Sequence, residues 1–408
     1  MKPLRVYLDS SDLSVLSEPD GTTGGLAAIR EQIRAFVDRR EIICCFSGIH
    51  LSEAAPLQPI YADAAERRAS LLVDLCGKNA LLSLDRLVCA EIRHALGLLK
   101  GLPDMHSASG EWYPDGAADI SPVGAVALAG ELRGAIRKGA PNRKSRRAAT
   151  AKALKRGSVR PGMRSQMANY AREFSLDEIL EQYPMREDDA RILARYAVGD
   201  ATKSEAERAF MASLQDPRWM MRWFERHHDR LQRFVEWARN PAKSIVESFK
   251  PLAQHAAQIH RDDAVAGTSV AATLFSSSKW GSWQDELLVG VVTTIANKVG
   301  ISTPSDFHAE IVDARCPGLS TGIRSLHSAW RLSVARTPRR VQPSDFVDAL
   351  HAMYAPYVDV FRTDSFMAPV VSKFAERFGT VVVGKLAELP AAIEQAMRAR
   401  GRKSPEPE

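Results

Sequence analysis

The chain has 408 residues, of which 45% are hydrophobic, 25% charged and 7% aromatic. That length exceeds one compact core of ordinary size. The composition excludes a mostly disordered chain, a collagen-like fibre and a disulfide-stapled miniprotein. The net charge of +6 is only mildly basic.

No stretch offers about 18 consecutive apolar residues, so no transmembrane helix is expected. The opening MKPLRVYLDS lacks the apolar core and small-residue cleavage site of a secretory leader, and a cytoplasmic location is expected. The cysteines are Cys44, Cys45, Cys76, Cys89 and Cys316. Their odd number and the lack of a CxxC pair fit reduced, buried thiols and argue against a zinc site.

Residues 4–9 (LRVYLD) predict a buried strand that ends on an aspartate. A glycine-containing loop follows; its GTTGG lacks the lysine and the spacing of a phosphate-binding loop. Residues 25–40 place Leu26, Ile29, Ile33, Phe36 and Val37 at helical spacing. IICCFS (42–47) reads as a second strand and HLSEAAPL as the start of a helix that Pro56 interrupts. Residues 61–77 read as a helix, ALLSL (80–84) as a third short strand and 85–99 as a further helix. Strands alternating with helices imply βαβ units and a parallel sheet.

The alternation stops near residue 100, where a Gly/Ser/Pro/Asp-rich connector begins. From about 123 to 335 the pattern is mainly helical, most clearly over 217–240 and 284–300, with 262–284 reading as a long loop. All seven tryptophans lie between 112 and 330, which predicts a core of its own for this portion. Alternation resumes with a helix over 344–355, a strand over 358–363, a helix over 367–379, a strand over 380–384 and a helix over 389–401. The expected organisation is one α/β domain written in two pieces, 1–98 and 343–401. A helical insertion over 99–342 splits it, and a disordered tail follows at 402–408.

Charge is distributed unevenly. Between Arg133 and Arg164 there are twelve Lys or Arg and no acid, so with +6 overall the remainder carries −6. Twelve positive charges exceed what solubility needs. Arg143, Lys144, Arg146, Arg147, Lys152, Lys155, Arg156 and Arg160 are the candidates for holding a phosphate backbone. The run contains no aromatic, so base stacking there is not indicated.

In open parallel sheets, ligand sites form at the C-terminal ends of the strands. Asp9 ends the first strand, Glu53 follows the second by one helical turn, and Asp364 ends the strand in VFRTD. Asp345 and Asp348 share one face of the preceding helix. Carboxylates converging without histidine or cysteine partners suit a hard cation such as Mg²⁺ or Mn²⁺, and the chemistry natural to such a site is phosphodiester hydrolysis.

The order YLDSSDLSVL, FSGIHLSEA, SDFVDALHAMYA, VFRTDSFMAPVV resembles the PIN domain, a metal-dependent nuclease fold with a three-layer α/β/α architecture around a central parallel sheet. The family pattern has an Asp at the end of the first strand, as Asp9 is here. It has a Ser-x-x-x-x-x-Glu after the second strand, matched by Ser47 and Glu53, and a helix of the form D-x-x-x-x-x-x-A, matched by Asp348 and Ala355. A Thr-Asp after the fourth strand is matched by Thr363 and Asp364. The chain departs from the family in its large insertion and in offering both Asp345 and Asp348 at the third position. Asp348 fits the spacing better, leaving Asp345 as an outer ligand or supporting residue.

The resemblance implies a catalytic set of Asp9, Glu53, Asp348 and Asp364 holding Mg²⁺ or Mn²⁺, with Ser47 and Thr363 in support. It implies RNA rather than DNA as substrate. The alternatives are a PIN-like module that binds nucleic acid or protein without cutting, and a toxin or phage-defence effector nuclease. The helical insertion is a candidate surface for self-association or a protein partner; no membrane partner is expected. Asp12 reads as an N-cap or solvated residue, His50 and His351 as histidines satisfied near the core, and Glu91 as a solvated helix residue. The adjacent His227 and His228 face different ways on a helix and do not suggest a metal site.

Overall fold

Strand β1 (Leu4–Tyr7) is the centre from which the fold is built: Leu4, Val6 and Tyr7 are buried, and it pairs with a strand on each side. In the computed structural model the described residues are 2–18, 25–56, 58–113, 123, 136–155, 158–160, 176–197, 200–226, 247 and 250–403. Several positions weighed above lie outside them: 21–24, Arg133, Arg156, Arg164, 227–240 with His227 and His228, and 404–408. The chain divides into two compact units, Met1–Trp112 with His227–Glu408, and Tyr113–Arg226.

In chain order, β1 leads into helix α1 (Ser10–Ser17), α2 (Gly25–Asp38), β2 (Ile42–Cys45), α3 (Gly48–Ala54) and α4 (Ala62–Cys76). Then come β3 (Ala80–Leu81), α5 (Leu84–Ala95) and β4 (His106–Ser107). The second unit contributes α6 (Arg143–Ala153), β5 (Leu154–Lys155), β6 (Ser158–Val159), α7 (Leu176–Gln182), α8 (Glu187–Ala197), α9 (Lys203–Leu214) and α10 (Pro217–Arg226). Helical backbone over 250–266 returns the chain to the first unit. There follow α11 (Val270–Leu274), α12 (Ser277–Lys298), α13 (Ala309–Arg315), α14 (Pro317–Arg331), α15 (Pro343–Ala352), β7 (Val360–Arg362), α16 (Ala368–Ala375), β8 (Val381–Val383) and α17 (Leu389–Lys403). Residues 262–284, which read as a loop from sequence, are therefore largely helical. Ser276 accepts from the Lys279 N–H and caps α12, so the polar SSSKWGSW is a helix start and not a linker.

The α/β expectation holds: four strands form one parallel sheet in the order β2-β1-β7-β8. Leu4 pairs with Ile42, Val6 with Val360 and Val360 with Val381. The expected third strand is reduced to two residues. Phe46 makes a single parallel bridge to Ala80, and β3 pairs antiparallel with β4. The four long strands end together at Tyr7, Cys45, Arg362 and Val383. The segments carrying Asp9, Ser47–Glu53 and Asp364 thus leave the same edge of the sheet.

The core under that edge is shared by sheet and helices. Tyr7, Phe361, Tyr354 and Leu87 bury alongside Leu288 and Val292 of α12 and Leu319 of α14. Tyr7 stacks on Phe361 with ring centroids 5.4 Å apart. Trp280 forms a smaller cluster with Ala256 and Val334. Helix α14 approaches α15 closely, through glycines at i and i+4. A Cβ on Gly318 would lie 2.6 Å from the Met353 carbonyl oxygen, and one on Gly322 2.8 Å from that of Ala349.

Glu91 is not solvated. It is fully buried and accepts from the Gly318 N–H at 2.6 Å and the Leu319 N–H at 2.8 Å, so it caps the start of α14. The Tyr357 hydroxyl donates to it as well. Burial pushes its carboxyl up to about 7, against the downward pull of those three donors.

In the second unit, α8 and α9 are tied by Asp189, which accepts from the Ser213 hydroxyl at 2.6 Å, while Ser213 accepts from the Arg186 N–H at 2.9 Å. Leu193, Phe210 and Met220 are buried there. Helix α6 starts at Asn142, whose side chain accepts from the Ser145 N–H at 2.9 Å. Among the described residues no helix is long and apolar enough to cross a membrane.

Candidate functional site

A cavity of about 430 Å³ opens at the C-terminal edge of the sheet. Asp9, Glu53, Asp348 and Asp364 all line it, together with Ser10, Ser14, His50, Arg68, Ser344 and His351. Four acids predicted from separate segments are brought to one place. Asp345 is not among the lining residues. It is buried at the first turn of α15, where Arg339 grips it through two bonds of 2.7 and 2.8 Å.

Two of the acids, Asp9 and Asp364, are held by local backbone chemistry. Asp9 is the N-cap of α1: its Oδ1 accepts from the Ser11 N–H at 2.7 Å. Asp12 completes a capping box by accepting from the Asp9 N–H at 3.3 Å, and its other oxygen pairs with Arg362 at 2.9 Å. Asp12 is thus a buried capping residue that links the ends of β1 and β7. Asp364 Oδ1 accepts from the Met367 N–H at 2.6 Å, one turn ahead. The Thr363 side chain is buried beside it, and its N–H bonds Val383 across the sheet at 3.1 Å.

Glu53 is fixed differently. His351 Nε2 lies 2.8 Å from Glu53 Oε2. Behind it, the Tyr7 hydroxyl shares hydrogen bonds with His351 Nδ1 at 2.6 Å and with Ser47 Oγ at 2.7 Å. This chain, Ser47–Tyr7–His351–Glu53, is buried as far as His351 and joins β1, α3 and α15. His50 closes the same pocket, accepting from the Ser47 N–H at 3.0 Å and bonding the Leu8 carbonyl at 2.9 Å. Both histidines are satisfied near the core, and both also line the cavity.

The electrostatics follow from burial and like charges. Burial raises the Glu53 carboxyl, but the His351 hydrogen bond and charge outweigh it and hold Glu53 down at about 2. Burial lowers His351, and the Glu53 bond more than reverses it, so both shifts favour an imidazolium–carboxylate pair. A charged His351 donates from both nitrogens, which turns the Tyr7 hydroxyl toward Ser47. Burial and the neighbouring His351 push His50 down to about 4, so it stays neutral. Asp348 goes the other way. Burial pushes it up to about 8; His351 opposes this, while Asp9, Asp364 and Glu53 add to it. A carboxyl raised first by burial and then by three neighbouring acids resists becoming one more negative charge there.

Hard carboxylate donors fit Mg²⁺ or Mn²⁺ in chemistry. Their arrangement is not a closed ligand set: among the described residues no group of three or more His, Cys, Asp or Glu is placed to hold one metal ion.

The basic candidates lie in the second unit. Arg143, Lys144, Arg146, Arg147 and Lys152 are exposed on α6, and Arg160 is exposed just after β6. Lys155 belongs to β5. Arg156 is outside the described residues.

Sequence reasoning did not single out Tyr7 or Arg68 for the site. Tyr7 looks like any core aromatic, and Arg68 in ERRAS looks like a solvated helix face. Only the fold brings Arg68 to the cavity wall and Tyr7 behind His351. No family model matches the chain, and comparison with curated proteins and with solved structures gave no match either.

Proposed function

We propose that the protein is a PIN-like, Mg²⁺- or Mn²⁺-dependent nuclease acting on RNA. The observation that carries this reading is the convergence of Asp9, Glu53, Asp348 and Asp364 on one cavity at the C-terminal edge of a parallel sheet. Two further features support a PIN-like architecture. The sheet has the order β2-β1-β7-β8, and Ala80 is bridged to the far side of β2. The preference for RNA follows from the family resemblance.

Asp9, Glu53, Asp348 and Asp364 are the residues to hold the ion. A bound divalent ion supplies an activated water and charge neutralisation for phosphodiester hydrolysis. The chain's own residues prepare the site. Asp9 and Asp364 each keep one oxygen fixed by a backbone N–H, so their carboxylates cannot swing away. His351 holds Glu53 ionised and in place. Asp348, whose carboxyl burial raises to about 8, would give up its proton on holding a cation. The basic face of α6 serves as a sequence-independent contact for phosphates.

Asp9→Asn tests this reading. Asparagine is as good an N-cap as aspartate, so α1 stays capped. RNA cleavage with Mn²⁺ should fall by about 100-fold or more, the scale of losing an electrostatic stabiliser, with unchanged thermal unfolding. Full cleavage by the variant would sink the assignment.

A second reading, a PIN-like module that binds without cutting, draws on the lack of a closed ligand set among the described residues. Calorimetry separates the two: RNA binding without Mn²⁺ uptake favours the module. Expression toxicity that depends on Asp9 would add a toxin or defence role to the nuclease reading.

A further inference from the structure

Arg68 is the one Lys or Arg, among the described residues, that lines the acidic cavity. It lies on α4, one helical turn before Leu72, which lines the cavity too. Its hydrogen-bond partners are neutral and long, the Ala54 carbonyl at 3.3 Å and the Ser14 hydroxyl at 3.4 Å, while Glu18 and Glu53 act on it only through space. Its Nε is buried without a hydrogen bond. Among the described residues no carboxylate is within ion-pair distance of it, whereas its neighbour Arg67 pairs with Glu18 at 3.0 Å.

A half-buried guanidinium in the wall of a carboxylate cavity, left without a carboxylate partner, is unusual. Arginine side chains in such settings normally satisfy the nearest acid. The planar fork carries five N–H donors and matches the oxygens of a phosphate better than any single neutral acceptor. Carboxylates alone repel a phosphate; one cation in the wall gives it a point of attachment beside them. The two existing bonds, to α1 and α3, hold the fork without neutralising it.

We propose that Arg68 binds a phosphate group of the substrate, the phosphate of a nucleotide unit, within this cavity. The assignment rests on reading the cavity as a phosphodiester site. It adds a substrate-contacting residue that the four acids do not supply.

The test is a calorimetric titration of adenosine 5′-monophosphate into the full-length protein with Mn²⁺ present. Wild type is compared with Arg68→Gln, which keeps the length of the side chain, and Arg68→Lys, which keeps the charge. Binding should weaken about 10- to 100-fold in R68Q, as expected for loss of a charged hydrogen-bond donor, and by less in R68K. Mn²⁺ affinity should not fall, since loss of a positive charge beside Glu53 favours a cation, and thermal unfolding should not change. RNA cleavage by R68Q should show a raised KM with the larger part of kcat retained. Equal affinity of wild type and R68Q for the monophosphate overturns the assignment, as does no binding by wild type. A loss of monophosphate binding that follows a loss of thermal stability in both variants also overturns it, making Arg68 a structural tie between α1, α3 and α4. RNA cleavage by wild type is assayed in parallel. Its absence removes the nuclease reading, whereas the phosphate assignment stands or falls on the titration.

Discussion

At the scale of the residue, the half-exposed Glu53 and the buried Glu91 meet opposite fates. Glu53 is held ionised by His351, and Glu91 is held by backbone donors in a place where burial dominates. Glu91 faces the Gly318 and Leu319 N–H groups, the Tyr357 hydroxyl and the thiol of Cys316, which donates to the Glu91 carbonyl. Its carboxyl is raised to about 7, so the folded chain binds a proton there that the unfolded chain has released. Between roughly pH 4.5 and 7 this group therefore removes stability as pH rises. Glu91→Gln abolishes that slope and turns one acceptor into a donor facing a helix start. It should cost about 1–3 kcal/mol. The deficit should be largest near pH 5 and shrink by pH 8. Urea unfolding at the two pH values checks this, and a deficit that grows with pH would contradict it.

At the scale of the element, the alternation of apolar strands with helices was readable because a strand buried on both faces is a continuous apolar run. IICC is such a run, and LRVY and VFR are apolar except for Arg5 and Arg362. The acids at their ends were readable for the same reason. What a residue's neighbours do 200 positions away was not. Glu91 resembled a solvated helix residue because its partners, Gly318 and Leu319, are 227 and 228 residues distant. Asp345 and Asp348 share a helix face in sequence, and only Arg339 decides that Asp345 turns to a guanidinium while Asp348 lines the cavity. The glycines of α14 were equally silent. Gly318→Ala or Gly322→Ala puts a methyl within 3 Å of a backbone oxygen on the neighbouring helix or its C-terminal turn, and should destabilise by about 1–3 kcal/mol. Gly290→Ala in α12 meets nothing within 4 Å and should stabilise by about 0.5–1 kcal/mol. Thermal unfolding of the three variants reads the signs directly. A common sign would show that helix propensity, not close approach, governs α14.

At the scale of the whole molecule, charge separates by unit. The first unit gathers acids around the cavity, and the second carries an eleven-residue helix with five exposed cations and no acid. A helix so charged gains nothing from ion pairs along its own face, and like charges one turn apart repel, so α6 is weakened by its own composition. That cost makes sense if polyanions quench the repulsion. Phosphate contacts release condensed counterions, and for single strands each lost contact lowers the slope of log affinity against log salt by about 0.7. Replacing Arg143, Lys144, Arg146 and Arg147 with alanine should therefore reduce the slope for a single-stranded RNA by about 3 if all four contact phosphates. Affinity should fall alike for unrelated sequences, since backbone contacts carry no base information. Mn²⁺ binding at the acidic cavity should be unchanged, because the substitutions leave its lining residues intact. An unchanged salt slope in fluorescence anisotropy would mean that α6 is a solvated face, and that the cations that hold RNA lie elsewhere in the chain.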